Sequence, residues 1–481
     1  MDLTPTIAPV SASIAWILPV PQAVTAAAIH HEKWGELDQT KGWDLAEIDT
    51  RWWHGRQPTA AVRDRASWFV RSRLATAVTA DAHSLISLRP GGLPSLAAAG
   101  VCVAAIELRR HTDGVDLDAV CLHLNLDGDA QQRPDLVAQL LRRPGRAWHL
   151  AGPDVDRNAF LHDVEQLLGD HGLVAKLTQG GYLYCGKGSR SEVRPQILTH
   201  LILNGEVPPP PLLQDYQNWD VHQQWAYALA SGANAELYFR LPPDRREAAE
   251  ASTTWLGHTM IRSEQDGAAF ISTREVDRPS VENVDTQLLV HGRFLDLTVL
   301  AMRQQFFLER HANELVETAR TFGGADEHDD LGEVIGHEER LLRFRNRLWF
   351  TGVPSRPEGT AVLRLLQSQY GSPELLDDIA GEQADMVRIL ELRDSRRRRI
   401  AGERAEESRR QQTELTQRQQ DEQQRTRQVV ETGVALLTPP AVLSGLAALL
   451  VDPSWRLFLG TFLVSLTVVV LALLFLRSRR S

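Results

Sequence analysis

Two apolar stretches near the carboxyl end constrain this chain most. Residues 433–451 and 457–476 carry no charge over nineteen and twenty positions, and only Asp452-Pro453-Ser454-Trp455-Arg456 separates them. A helix rises about 1.5 Å per residue, so the second stretch, LFLGTFLVSLTVVVLALLFL, matches the roughly 30 Å of a hydrocarbon core. The first holds Pro439 and Pro440, which kink a helix and are tolerated where it packs or lines a pore. Arg425 and Arg427 precede the pair, and Arg477, Arg479 and Arg480 follow it. Positive charge marks the cytoplasmic side. The expectation is therefore two C-terminal transmembrane helices in the lipid bilayer, with both chain ends cytoplasmic and Trp455 at the outer interface.

The remaining 430 or so residues have room for two or three domains. A hydrophobic content of 43% supports a buried core, and a net charge of -10 gives no nucleic-acid signal. Positive charge comes almost wholly from arginine, and with so much Ala, Leu and Gly the composition suggests a GC-rich bacterial genome. The expected location is thus the bacterial inner membrane, multi-pass. Cys102, Cys121 and Cys185 are too dispersed for a metal motif or a disulfide framework, which fits a reducing compartment.

Residues 1–207 read as a cytosolic α+β domain. Strands are expected at 13–18, 101–108 and 119–126, with a turn at Asp113-Gly114. Helices are expected at 134–141, 158–168 and 194–203, and a hairpin through Gly180-Gly181. Pro208 to Pro211 stop any helix and open a linker with a small β-rich subdomain, 208–283, whose strands 254–262 and 268–273 flank the turn Glu264-Gln265-Asp266-Gly267. From 284 to 372 the apolar period is helical. Pro373 then opens a stalk helix, 373–432, of about 90 Å, ahead of the transmembrane hairpin and short tail, 433–481. Its second half is almost wholly polar, which suits a solvated spacer or a water-lined vestibule.

The segment Leu437-Thr438-Pro439-Pro440-Ala441-Val442-Leu443-Ser444-Gly445-Leu446, with the long helix before it and the Arg-rich tail after it, resembles the CorA family of two-span divalent-cation channels. The resemblance covers residues 284–481 in layout and about thirty in motif. It implies a homo-oligomer, a pentamer, with the first span lining a pore. The family's Gly-Met-Asn position holds Ala448-Leu449-Leu450, and leucine cannot coordinate a hydrated ion. Thr438, Pro439, Pro440, Ser444, Gly445 and Asp452 remain the pore or membrane candidates, with helix packing as the plainer role of Thr438 and Ser444. The layout, with Gly267 to Phe270 and the helical run 288–308, also resembles, more weakly, two-span proteins associated with caspase and TPR components of actinobacterial conflict systems.

Asp326-Glu327-His328-Asp329-Asp330, followed by Glu333 and His337, is the densest ligand-like run. Its oxygens suit magnesium or calcium, and it serves equally well as an acidic cap on the helix that follows. Gly186-Lys187-Gly188-Ser189 lacks the hydroxyl directly after the lysine of a phosphate loop. Arg396 to Arg399 form a basic block that nearby glutamates can pair. No catalytic set assembles, so no enzyme is expected and no cofactor beyond a divalent cation. Two functions stay open: a CorA-like channel, or degenerate relative, whose cytosolic domain senses a ligand; and a membrane-anchored sensor or effector whose N-terminal domain binds a protein partner.

Overall fold

The computed structural model describes residues 11–36, 82–87, 93–111, 115–142, 156–178, 183–184, 193–204, 210, 219–232, 252–255, 259–264, 267–274, 286, 289–321, 327–350, 357–450 and 455–478. They fall in two compact units, Met1–Val387 and Arg388–Ser481.

The first unit is built on a nine-stranded mixed sheet. In chain order its strands are β1 Ser11–Val20, β2 Gly35–Glu36, β3 Ala82–Ser87, β4 Val101–His111, β5 Asp118–Leu126, β8 Gln196–Asn204, β9 Ser252–Trp255, β10 Thr259–Glu264 and β11 Gly267–Arg274. The spatial order is β2-β3-β4-β5-β1-β8-β11-β10-β9. Every pairing is antiparallel except β8 with β11. Strands before and after the proline run thus share one sheet. A separate ribbon pairs β6 Lys176–Leu177 with β7 Leu183–Tyr184, as the Gly180-Gly181 turn leads one to expect. The expected hairpin at 264–267 also forms, between β10 and β11.

One face of the sheet is apolar. Ile14, Trp16 and Leu18 of β1 share a core with Leu122 and Leu124 of β5 and Leu201 of β8. Helices α4 Pro134–Arg142, α5 Arg157–Gly169 and α6 Val221–Ser231 close this core with Leu140, Phe160 and Trp225. Here α1 is Gln22–Ala28, α2 Pro94–Ala97 and α3 Gly128–Gln132. Trp16 stacks on Phe160 with ring centroids 6.2 Å apart.

The opposite face carries most of the sheet's buried polar side chains, among apolar ones such as Ile17, Leu198 and Phe270, and the helical part of the unit covers it. A bulge between Val103 and Ala105 shifts the β4 register against β5. Val101 and Val103 before it, and Ile106 and Leu108 after it, therefore all reach the apolar core, and Glu107 and Arg109 turn to the other side. A π-helical turn, Val290–Phe294, leads into α7 Leu295–Thr321, followed by α8 Glu327–Arg347 and α9 Pro357–Tyr370. Phe294 stacks on Phe270 of β11 at 5.0 Å, and Arg109 pairs with Asp296 at 2.8 Å. Arg303, fully buried on α7, donates to the Leu117 carbonyl.

Three expectations need correction. Residues 194–203 were expected to be helical, yet Gln196–Asn204 is a central strand. Covered on both sides, it carries apolar residues in both registers, Ile197 and Leu198 before Thr199-His200 and Leu201 to Leu203 after them, a pattern that cannot tell strand from helix. The two C-terminal transmembrane helices are likewise not shown, because no helix among the described residues is long and apolar enough to cross a membrane. Residues 433–450 are not an independent helix. They end the 79-residue helix α10, Ser372–Leu450, whose body is charged and which continues through Pro439 and Pro440. The last helix among the described residues is α11, Trp455–Ser478. The expected multi-pass placement in a bacterial inner membrane falls with those spans.

Candidate metal centre at a helix junction

Helix α7 is amphipathic, and its inner face carries Leu308, His311 and Leu315 at spacings of three and four. His311 and Glu314, one turn apart, project to the same side. On α8 the same spacing places His337 and Arg340 together. The root of α10 supplies Gln383. These side chains meet where the three helices pack: His311, His337 and Gln383 are buried, while Glu314 and Arg340 reach solvent.

One nitrogen of each imidazole and one oxygen of Glu314 lie within 4.8 Å of one another. The rings of His311 and His337 are 5.2 Å apart at 66°. His311 stacks on Phe307 at 5.4 Å, and Phe307 on Phe344 at 4.2 Å, which fixes the His311 ring against an apolar wall. Gln383 Nε2 donates to His311 Nε2 over 3.0 Å. Arg340 Nη2 donates to His337 Nδ1 over 2.8 Å. An arginine can only donate, so the Nδ1 lone pair is the acceptor. The Nε2–H of His337 then donates to Thr318 Oγ1, 2.9 Å away.

Both imidazoles are held neutral. Burial lowers His311 to about 4, helped by the Arg340 guanidinium and by the repulsion that a second proton on the neighbouring His337 would add, and opposed by Glu314. Burial likewise lowers His337, with Arg340 adding to the effect and Glu314 and Glu333 opposing it. Neutral imidazoles with one carboxylate form the His2Glu ligand type that takes zinc and related transition metals and leaves a coordination position open. Bonds of about 2.1 Å place tetrahedral ligand atoms roughly 3.4 Å apart. The side chains must therefore draw in by about an ångström to close on an ion.

A second histidine pair lies between the sheet and the π-helical turn. His291 Nε2 is 2.9 Å from Ser13 Oγ, His291 Nδ1 3.1 Å from His123 Nδ1, and His123 Nε2 3.2 Å from Glu107 Oε2. One set of directions satisfies all three links. The Ser13 hydroxyl donates to His291, His291 donates to His123, and His123 donates to the Glu107 carboxylate. The order of groups is that of a nucleophile relay, but Ser13 is fully buried within the sheet, so no substrate reaches it. The chain fastens the turn to the sheet.

Among the earlier candidates, Asp326 and Asp452 lie outside the described residues. Glu327, His328, Asp329 and Asp330 form the first turn of α8. Thr438, Pro439, Pro440, Ser444 and Gly445 lie near the end of α10. His337 joins His311 and Glu314 rather than the acidic run. The signal for the other two was the i,i+3 motif His311-Ala-Asn-Glu314, which sets two ligand-type side chains on one helix face. No protein-family model matches the chain, and neither a curated protein nor a solved structure does.

Proposed function

We propose that this protein is a metal-responsive regulator that binds a divalent transition-metal ion through His311, Glu314 and His337. The observation that carries this reading is the convergence of two neutral, buried imidazoles and a solvent-reaching carboxylate at one helix junction. Imidazole ligands favour zinc, nickel, cobalt or copper over magnesium and calcium, which prefer all-oxygen sets.

The response follows from what the ion displaces. The lone pair on His311 Nε2 is occupied by the amide of Gln383. An ion that takes this lone pair releases Gln383 and removes one tie between α7 and the root of α10. The output is thus the seating of the long helix. The test is thermal unfolding of chelator-treated protein with and without zinc. A ligand at a hundred times its Kd stabilises by about 2.7 kcal/mol, so the melting temperature should rise, and the rise should vanish in His311→Ala and in His337→Ala. No zinc-dependent shift in the wild-type protein would end the metal reading.

A second reading is favoured by α10 itself. Residues 401–432 are exposed throughout, and a lone helix that is polar all round is marginal. A protein partner, or further copies of the chain, would give it neighbours, which is the interaction-protein class of the weaker resemblance. Light scattering reads this directly, and a single-chain mass at every concentration removes self-association.

A further inference from the structure

The geometry points to Arg340 as a resident cation in the metal site, so that metal entry is an exchange of the guanidinium for the ion. This inference rests on the metal reading above and adds how the site is regulated. A single nitrogen of Arg340, Nη2, lies 2.8 Å from His337 Nδ1 and 3.4 Å from Glu314 Oε2. It therefore touches two of the three prospective ligand groups at once, and it uses the His337 lone pair that an ion needs. Arginine stays charged at any pH a protein tolerates. A divalent ion and a guanidinium cannot share two ligands at such range, since like charges a few ångströms apart repel strongly at a half-buried site.

The arrangement also allows exchange. Arg340 is 49% exposed and Glu314 36%, so the long side chain can swing into water while the buried imidazoles stay. The bond from His337 Nε2–H to Thr318 fixes the tautomer and keeps the Nδ1 lone pair aimed into the site whichever cation is there. Arg340 belongs to α8 and Glu314 to α7. In the metal-free state the guanidinium ties these two helices, and in the bound state the ion does so. The junction is closed in both states. What changes is the place of Arg340, inside or on the surface, together with the release of Gln383. The cost of expelling Arg340 sets a threshold concentration for the response.

The experiment is competition of zinc between the full-length protein and a chromophoric chelator, for the wild type, Arg340→Gln, Arg340→Lys and His337→Ala. Arg340→Gln should bind zinc at least tenfold tighter than the wild type, Arg340→Lys should fall between them, and His337→Ala should lose binding. Equal affinity of the wild type and Arg340→Gln overturns the exchange and leaves the metal site standing. Absence of zinc binding in all four overturns both. If Arg340→Gln does not fold by circular dichroism, Arg340→Lys decides, because a lysine that lacks the planar fork should still loosen the plug. An affinity equal to that of the wild type counts against it.

Discussion

The two histidine pairs of this protein look alike in isolation and differ in everything around them. His123 and His291 have ring centroids 5.3 Å apart, and His311 and His337 have theirs at 5.2 Å. The first pair ends on Glu107 and Ser13, both fully buried, inside a chain whose donors and acceptors match one to one. The second ends on Glu314 and Arg340, whose charged ends reach water. A sealed, matched network specifies packing, because any change leaves a buried polar group without its partner. A pair with a displaceable cation at its rim can exchange that cation. Access at the edge, rather than the imidazoles themselves, separates the two.

Glu107→Ala should break this comparison most sharply. It leaves His123 without its carboxylate in the interior, while Arg109 keeps Asp296 at 2.8 Å, and loss of one partner from a buried charged network costs about 3–5 kcal/mol. Chemical denaturation should show a loss of that size. A loss below about 1 kcal/mol would mean that the sheet-side chain does not hold the turn.

Acid tests the helix junction next. The folded state holds His311 near 4, against 6.5 in the unfolded chain. Above pH 6.5 neither state binds the proton, and this contribution to stability is complete. Below it the unfolded chain takes up a proton that the folded one refuses, so stability falls until about pH 4. At about 1.4 kcal/mol per unit the loss is about 3 kcal/mol. Burial lowers His200 of β8 to about 3, so its share of the loss extends lower in pH. Denaturation in EDTA at a series of pH values should show a shallower acid slope for His311→Gln than for the wild type.

A smaller effect concerns Gln383. With Gln383→Ala the amide that competes for His311 Nε2 is gone. Zinc affinity should rise by a fewfold, about 1 kcal/mol, the net worth of one hydrogen bond, as read by calorimetry. A drop in affinity would mean that Gln383 supports the ion instead of yielding to it. The smallest effect belongs to the second unit. Arg398 pairs with Asp394 at 2.6 Å and Arg399 with Glu403 at 3.2 Å, all four well exposed. Arg398→Ala should change stability by no more than about 0.5 kcal/mol, and a larger change in thermal unfolding would show that this basic block meets a partner.

Much of the local structure was legible in the chain. The β10–β11 hairpin follows from the turn at 264–267 between two β-prone runs. The absence of proline between Pro373 and Pro439 allows a long helix. The metal candidates were half legible. His337 stood out beside the acidic run, whereas the i,i+3 pair His311 and Glu314 is masked by a helix whose apolar period reads first as a core face. The apolar stretch 433–451 reads as a separate span by its hydropathy, yet residues up to Leu450 end one continuous helix that begins at Ser372.

By itself, then, the sequence determined the elements that depend on near neighbours: the turn at Gly267 and the amphipathic period of α7. Tertiary structure alone decided which face each polar side chain occupies. The bulge at Val103/Ala105 turns Glu107 toward the helices. The π-helical turn brings His291 to His123 across 168 positions. The packing of α7 against α8 and α10 brings His311 to His337 and Gln383. Local propensity is set by the backbone and its immediate neighbours. Sheet order and helix docking are set by which surfaces leave water together, and no spacing along the chain records that.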